Sequence, residues 1–365
     1  MLEKGKISSL QAVLLMISLI MPTAVLTVPS LVVGPAGQDA WLSIIVAALA
    51  GLLIAWLAVN LSLRFPGKTL FEYMEQILGT FAGKLAGVLY IWWFLHTNAL
   101  VIREFGGFLV AAVMPDTPLV VFHIMVVAVA AYAVRGGLEV LSRANQLLIP
   151  LTVLLALVFI LSVPLMDFAR LQPVLEAGLP EILKGAAVPA SWLGEIVIIA
   201  MILPYLNKPG QSYRVAIASV LAVSFFMAMS ILEALLIFGP NVTMSWLFAT
   251  FNAIRLISIA NSVERLELII VMSWVLGGFF KVGVFYYAAV LGSAQWLKLT
   301  DYRPLVLPVG IILVALSVLI HDNNVELVSF LSTTWPPYAI TIEAGIPLLL
   351  LLITLVRRIG VRKTV

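Results

Sequence analysis

The chain contains no cysteine. Disulfide staples, thiolate nucleophiles and zinc–thiolate sites are therefore excluded. Charge is also scarce, with Asp, Glu, Lys and Arg making up 11% of 365 residues. A soluble domain of that length needs a far larger polar fraction to cover its surface. The three histidines, His96, His123 and His321, are scattered without metal-ligand spacing, so no metal site is expected. A glycine-rich phosphate loop and a nucleophile beside a base are missing too, so neither an enzyme activity nor a cofactor is expected. Basic residues are spread over many short segments rather than gathered with aromatics on one face, which argues against nucleic acid as a partner.

Apolar residues are abundant: 62% of the chain is hydrophobic and the mean hydropathy is +1.13. Runs of about 20 apolar residues between short polar turns are what a roughly 30 Å hydrocarbon layer asks of helices. A transmembrane barrel would instead show segments of about ten residues alternating in polarity, and the sequence lacks them. The fold class read from this pattern is an all-α polytopic membrane protein, with lipid as its main solvent. No linker, low-complexity stretch or charge block divides it, so residues 1–365 are expected to form a single transmembrane domain. The apolar stretch from Leu10 continues past Pro22 and Pro29 without a small-residue cleavage site, as a retained first helix would.

Ten spans are expected, near 8–33, 40–63, 83–113, 118–134, 144–163, 187–206, 212–238, 266–297, 304–320 and 337–356. The third and eighth are too long to cross upright and must tilt or extend beyond the bilayer. A short amphipathic piece from Thr69 to Leu78 suits a helix at the membrane surface. The loops at 164–186 and 239–265 are mixed enough to hold a short helix each.

Lysine and arginine set the orientation. With the N-terminus inside, Lys4, Lys6, Arg64, Lys68, Lys84, Arg135, Arg143, Lys208, Arg214, Lys298, Arg303, Arg357, Arg358, Arg362 and Lys363 are cytoplasmic. Only Arg170, Lys184, Arg255 and Arg265 fall on the other side. Both termini are thus expected in the cytoplasm.

Two spans carry interruptions at corresponding places: Met21-Pro22-Thr23-Ala24 with Pro29 in the first, and Ser191-Trp192-Leu193-Gly194-Glu195 with Pro204 in the sixth. Such pairs point to a transporter-like fold of two inverted five-helix halves, although proline also kinks membrane helices that have no such role.

Ionisable groups within a membrane are costly and usually face the protein interior. Here they are Arg103 and Glu104 in the third span, Glu195 in the sixth, Glu233 in the seventh, Lys281 in the eighth and Glu343 in the tenth, with His96 as a further titratable group. Lys281 is too deep to snorkel: it either stands in for a coupling cation between the first and eighth spans or forms a buried pair that fixes packing. Glu195 follows Gly194 and could hold a ligand ammonium, carry a proton, or cap the second half of its own helix. Arg103 and Glu104 point about 100° apart, so each needs a partner elsewhere. Trp93, Thr97 and Val101 share one helix face, which suits either a small pocket or plain packing, and Phe285 lies one turn from Lys281. Glu233 and Glu343 are placed nearer the outer ends of their spans, in wet or capping roles.

Several short pieces, in order, resemble the B subunits of GerA-type nutrient germinant receptors, the spore permease family of the amino acid–polyamine–organocation superfamily. They are Arg103 in the third span, Gly136-Gly137-Leu138 with Ser142-Arg143, and 171–179 (LQPVLEAGL). Then come Ser191 to Glu195 with Leu203-Pro204, Glu264-Arg265-Leu266-Glu267 with Trp274, and 281–287 (KVGVFYY). The resemblance covers nearly the whole chain. It implies ten helices in a five-plus-five inverted repeat, with a small nutrient, such as an amino acid, held where the first and sixth helices break. It also implies A and C subunits as partners and a place in the spore inner membrane, amid lipid, with the termini on the core side. Carried over residue by residue, the ligand site would comprise Pro22, Thr23 and Ala24, Trp93 and Thr97, Leu193, Gly194 and Glu195, and Lys281 and Phe285. Arg103, Glu104, Glu195 and Lys281 would be its buried or coupling charges. Many relatives have glycine at the first break, where this chain has Met21-Pro22-Thr23-Ala24, so the backbone donors offered to a ligand differ. The alternative to a sensing subunit is a proton-coupled amino-acid transporter.

Overall fold

In the computed structural model, residues 2–257 and 267–360 are described. Glu264, Arg265 and Leu266 of the eighth-span motif, and Arg362 and Lys363 of the charge pattern, lie outside the described residues. The helices are α1 (Ser9–Ala36), α2 (Ala40–Arg64), α3 (Leu70–Leu78), α4 (Thr80–Ala112), α5 (Leu119–Gly136), α6 (Leu138–Asn145), α7 (Ile149–Ser162) and α8 (Gly178–Gly194). They continue as α9 (Ser212–Phe238), α10 (Pro240–Ser245), α11 (Ala249–Arg255), α12 (Glu267–Trp296), α13 (Val306–Leu319), α14 (Asn324–Thr333), α15 (Trp335–Ile340) and α16 (Ile346–Val356). Among the described residues, eight helical stretches are long and apolar enough to cross a membrane. A ninth is added if α13 and α14, bent by 99° at their junction, form one broken span.

The first of those stretches runs from Ser9 to Arg64. It folds back on itself at Gly37, which has φ +54°. Ser9 Oγ donates to Gln211 at 2.6 Å, and Asn60, near the other end, donates to Tyr213 at 3.5 Å. Ala36 and Ser43 meet together over Gly185 at the opposite end. α1 and α2 are therefore antiparallel and cross the molecule twice. Ser8 and Gln11 start α1 with a reciprocal capping box. The segment before it is pinned by pairing of Ile7 with Tyr205 and Asn207 (3.0 and 2.9 Å).

α1 corrects one expectation. It does not unwind at Met21-Pro22-Thr23-Ala24 but stays helical to Ala36, with Pro22, Pro29 and Pro35 inside it. Proline removes a single N–H and kinks a helix whose neighbours hold it. Here the Pro22 ring fills the notch left by Gly277 of α12, where a Cβ would overlap it. The sixth span does change: α8 ends at Gly194 and tightens into a 3-10 helix over Glu195–Met201. That span also begins well before 187, at Gly178, and its exposed first turns carry the charged pair Glu181 and Lys184, 2.5 Å apart.

The short amphipathic helix is present as α3, entered through a capping box of Thr69 and Glu72, and it packs Leu70, Phe71, Tyr73, Met74 and Ile77 inward. α4 and α12, with 33 and 30 residues, are about 50 and 45 Å long at 1.5 Å per residue, which exceeds the hydrocarbon core. α14 falls in a stretch expected to be loop, capped by Asn323, whose side chain accepts from the Glu326 N–H at 2.9 Å. The last span is not continuous: α15 passes through a π turn at Thr341–Gly345 into α16.

Candidate functional site

A buried polar cluster sits where α1, α8 and α12 meet. Lys281 of α12 is 1% exposed and Glu195 is 2% exposed. The Lys281 ammonium donates to Glu195 Oε1 and Oε2 at 2.8 and 2.7 Å and to Thr23 Oγ1 at 2.8 Å. An ammonium has three donors, so all of them are engaged. Trp192 of α8 adds a fourth contact, its indole N–H donating to Thr23 Oγ1 at 3.0 Å. One helix thus supplies the hydroxyl, one the cation and one the carboxylate, and the three helices are tied at one point. Glu195 occupies the first 3-10 position after α8, the place where the helix narrows.

The neighbours form an aromatic wall. The Phe285 ring lies one turn on, 6.0 Å from Lys281 Nζ. Trp93 of α4 meets Phe285 edge-on at 5.7 Å. Thr97, one turn along α4, is buried, and neither its hydroxyl nor the Trp93 N–H has a hydrogen-bond partner. Gly194 faces α2 and the last span, where a Cβ would meet Ile54 and the Glu343 carboxylate. Leu193 points elsewhere, filling the space over Gly51 beside Val220. Ala24 is fully buried in α1 and contributes no polar atom. Of the residues expected at the site, the structure brings Thr23, Trp93, Glu195, Lys281 and Phe285 together. Pro22 packs on another face of α1.

Arg103 and Glu104 part as their spacing requires. Arg103 is 5% exposed and turns to the bend between α13 and α14, donating to the carbonyls of His321 and Asp322 at 3.2 Å each. Glu104 turns to a narrow cavity lined by Thr27, Ser30, Phe108, Trp274 and Asn324, and its Oε1 has no partner. Glu233 and Glu343 are not at wet helix ends: they are 2% and 0% exposed. Distance from a span's end misjudged them because α10 and α11 cover α9, and Glu343 lies mid-span in the 22-residue stretch Trp335–Val356. Neither oxygen of Glu343 has a hydrogen-bond partner. Around one saturated ammonium the centre holds Glu195, and the Glu343 carboxyl lies against the neighbouring Gly194. Carboxyl groups outnumber cations there, and a buried carboxylate without a partner is costly.

Three of the basic residues expected on one side, Lys84, Lys298 and Arg357, gather around α3. Lys298 pairs with Glu75 at 3.5 Å, Arg357 donates to the Ile77 carbonyl at 2.5 Å, and Trp296 donates to the Lys84 carbonyl at 2.9 Å. Near the N-terminus, Glu3 accepts from the Leu138 N–H (3.1 Å).

The chain matches the family described as spore germination protein over residues 6–325. It is 29% identical to spore germination protein KB of Bacillus subtilis over 330 residues, 89% of this chain and 88% of that protein. It is 26% identical to spore germination protein YndE of the same organism over 362 residues, 98% of each. Spore germination protein A2 of Bacillus subtilis is 24% identical over 326 residues, covering 87% of this chain and 88% of the relative.

Proposed function

The chain belongs to the spore germination protein family, and on that premise we propose that it is the nutrient-sensing, permease-like B subunit of a spore germination receptor. The observation that carries this reading is the node of Lys281, Glu195 and Thr23 joining α12, α8 and α1 in the interior. An amino acid carries one carboxylate and one ammonium. It is complementary to a separated Lys281–Glu195 pair: its carboxylate takes the lysine, and its ammonium takes Glu195 with help from the spare carboxylates. Because α1 stays helical through Pro22, which itself has no N–H, backbone donors are scarce there, and the lysine is the natural carboxylate partner. Inserting a ligand between the two charges would loosen α8 from α12. That supplies the differential affinity for a second state that a sensor needs.

In this reading Ser9–Arg64 counts as two spans, which with the broken pair makes ten. α1 and α8 open the two five-helix halves and meet at the node, as an inverted repeat requires. The basic end faces the spore core and carries both termini, and the protein sits in the spore inner membrane with A and C subunits.

A proton-coupled amino-acid transporter is the second reading, favoured by Glu104 and Glu343, whose unpartnered oxygens suit groups that take up protons. Uptake of labelled amino acids into proteoliposomes under an imposed pH gradient separates the two. Stabilisation by one amino acid without uptake supports the sensor. Accumulation that collapses with the gradient makes the protein a transporter. Neither binding nor uptake would remove the node as a ligand site.

A further inference from the structure

A second face of α1 borders a cavity of about 60 Å3. Its walls are mostly apolar, with Pro22 from α1, Phe159 from α7, Phe226 from α9 and Trp274 from α12. A buried water needs roughly 10–15 Å3 in this measure, so the space has room for about four to six waters or a short branched hydrocarbon.

Glu233 of α9 lines this cavity. It is 2% exposed, and its Oε1 has no hydrogen-bond partner. Among the described residues no ion pair involves it. The hydroxyls lining the cavity are already committed as donors: Ser230 to the Met227 carbonyl at 2.9 Å, Thr250 to Val25 at 2.9 Å and Ser273 to Ile269 at 2.7 Å. Their oxygens retain lone pairs only. A carboxylate and three acceptor hydroxyls in an apolar enclosure call for a ligand that brings donors and positive charge on an apolar body.

We propose that this cavity binds a small primary ammonium compound with a branched apolar group, its ammonium on Glu233 and its hydrocarbon against Phe159, Phe226 and Pro22. The site lies on a different face of α1 from the Lys281–Glu195 pair and stands whether or not that pair binds the nutrient. A bare amine and an apolar α-amino acid share this chemistry.

The test is thermal stabilisation and calorimetric titration of the full chain in nanodiscs with isobutylammonium, isobutanol and valine. Isobutylammonium should bind saturably and isobutanol at least about ten-fold more weakly, the loss expected when a charged hydrogen-bond partner is removed. Glu233→Gln should weaken isobutylammonium by a similar factor. Ser273→Leu, which fills the cavity and keeps the carboxylate, should abolish binding even if Glu233→Gln fails to fold. The paired variant Lys281→Met with Glu195→Gln should retain it. Tighter binding of valine by that paired variant, whose central node is disabled, would identify an amino acid as the ligand, and weaker binding a bare amine. No saturable binding of either ammonium, equal affinity for isobutanol, or binding that survives Ser273→Leu would overturn the proposal.

Discussion

Glu343 and Gly194 share one space: the Glu343 carboxylate lies against the Gly194 backbone, in the volume a Cβ would fill. Both residues sit where a helix departs from α geometry, Gly194 just before the 3-10 segment and Glu343 inside the π turn. Irregular turns of this kind are frequent at functional sites because they redirect side chains without ending the helix. The two departures face each other, so a shift in one is felt by the other.

Gly194→Ala is expected to cost about 1–3 kcal/mol, the usual price of overpacking, since Glu343 is enclosed and Ile54 stands on the other side at 3.2 Å from the added carbon. Glu343→Ala should absorb much of that cost. Thermal unfolding of the four members of this double-mutant cycle in detergent is the measurement, with an expected coupling of roughly 0.5–3 kcal/mol. Additive effects would mean that the two helices do not read each other through this contact.

Hydropathy made most spans legible to within a few residues, because lipid leaves few alternatives to an apolar helix. It also marked Lys281 and Glu195 as deep. It could not pair them, since they come from helices 86 residues apart and only the three-dimensional crossing brings them together. The first-span break was misread because proline marks a lost hydrogen bond, not a lost helix, and the room for the Pro22 ring comes from Gly277 on a distant helix. Glu343 was recognised as an intramembrane carboxyl but placed too near the end of its span, and the π turn that carries it has no hydropathy signature. The prolines around it, Pro336, Pro337 and Pro347, were the available hint.

Lys281→Met should destabilise the protein by about 3–5 kcal/mol, because it strands Glu195 as an uncompensated buried charge. Adding Glu195→Gln should restore most of that loss, since replacing a whole buried pair is often neutral. The restored double variant is the informative one: its stability recovers while its response to amino acid does not. A double variant that responds normally would make the pair a packing device and nothing more.

Arg103 holds the bend between α13 and α14 through two carbonyls. Arg103→Lys keeps the charge but loses the planar fork that reaches both at once. A cost of about 1.5–3 kcal/mol is expected, the value of a hydrogen bond to a charged group. Hydrogen exchange should quicken around 320–324 while ligand affinity at the central node stays unchanged. A loss of affinity without faster exchange would place Arg103 in the site itself.

Thr23 gives the sharpest separation of shape from hydrogen bonding. Its Oγ1 accepts from both Lys281 and Trp192. Thr23→Val conserves the side-chain shape but leaves two buried donors short of an acceptor, each at a cost of about 1–3 kcal/mol. Thr23→Ser keeps the acceptor and loses only a methyl group, for which about 1 kcal/mol is the expected upper range. The ordering wild type, Ser, Val in thermal stability follows from hydrogen bonding. Packing alone predicts that Val equals wild type and Ser falls below it. Trp192 fluorescence supplies a second readout, since its indole N–H loses its partner in Val and keeps it in Ser. If Val matched wild type in both stability and emission, Thr23 would not be the joint between α1 and the ion pair.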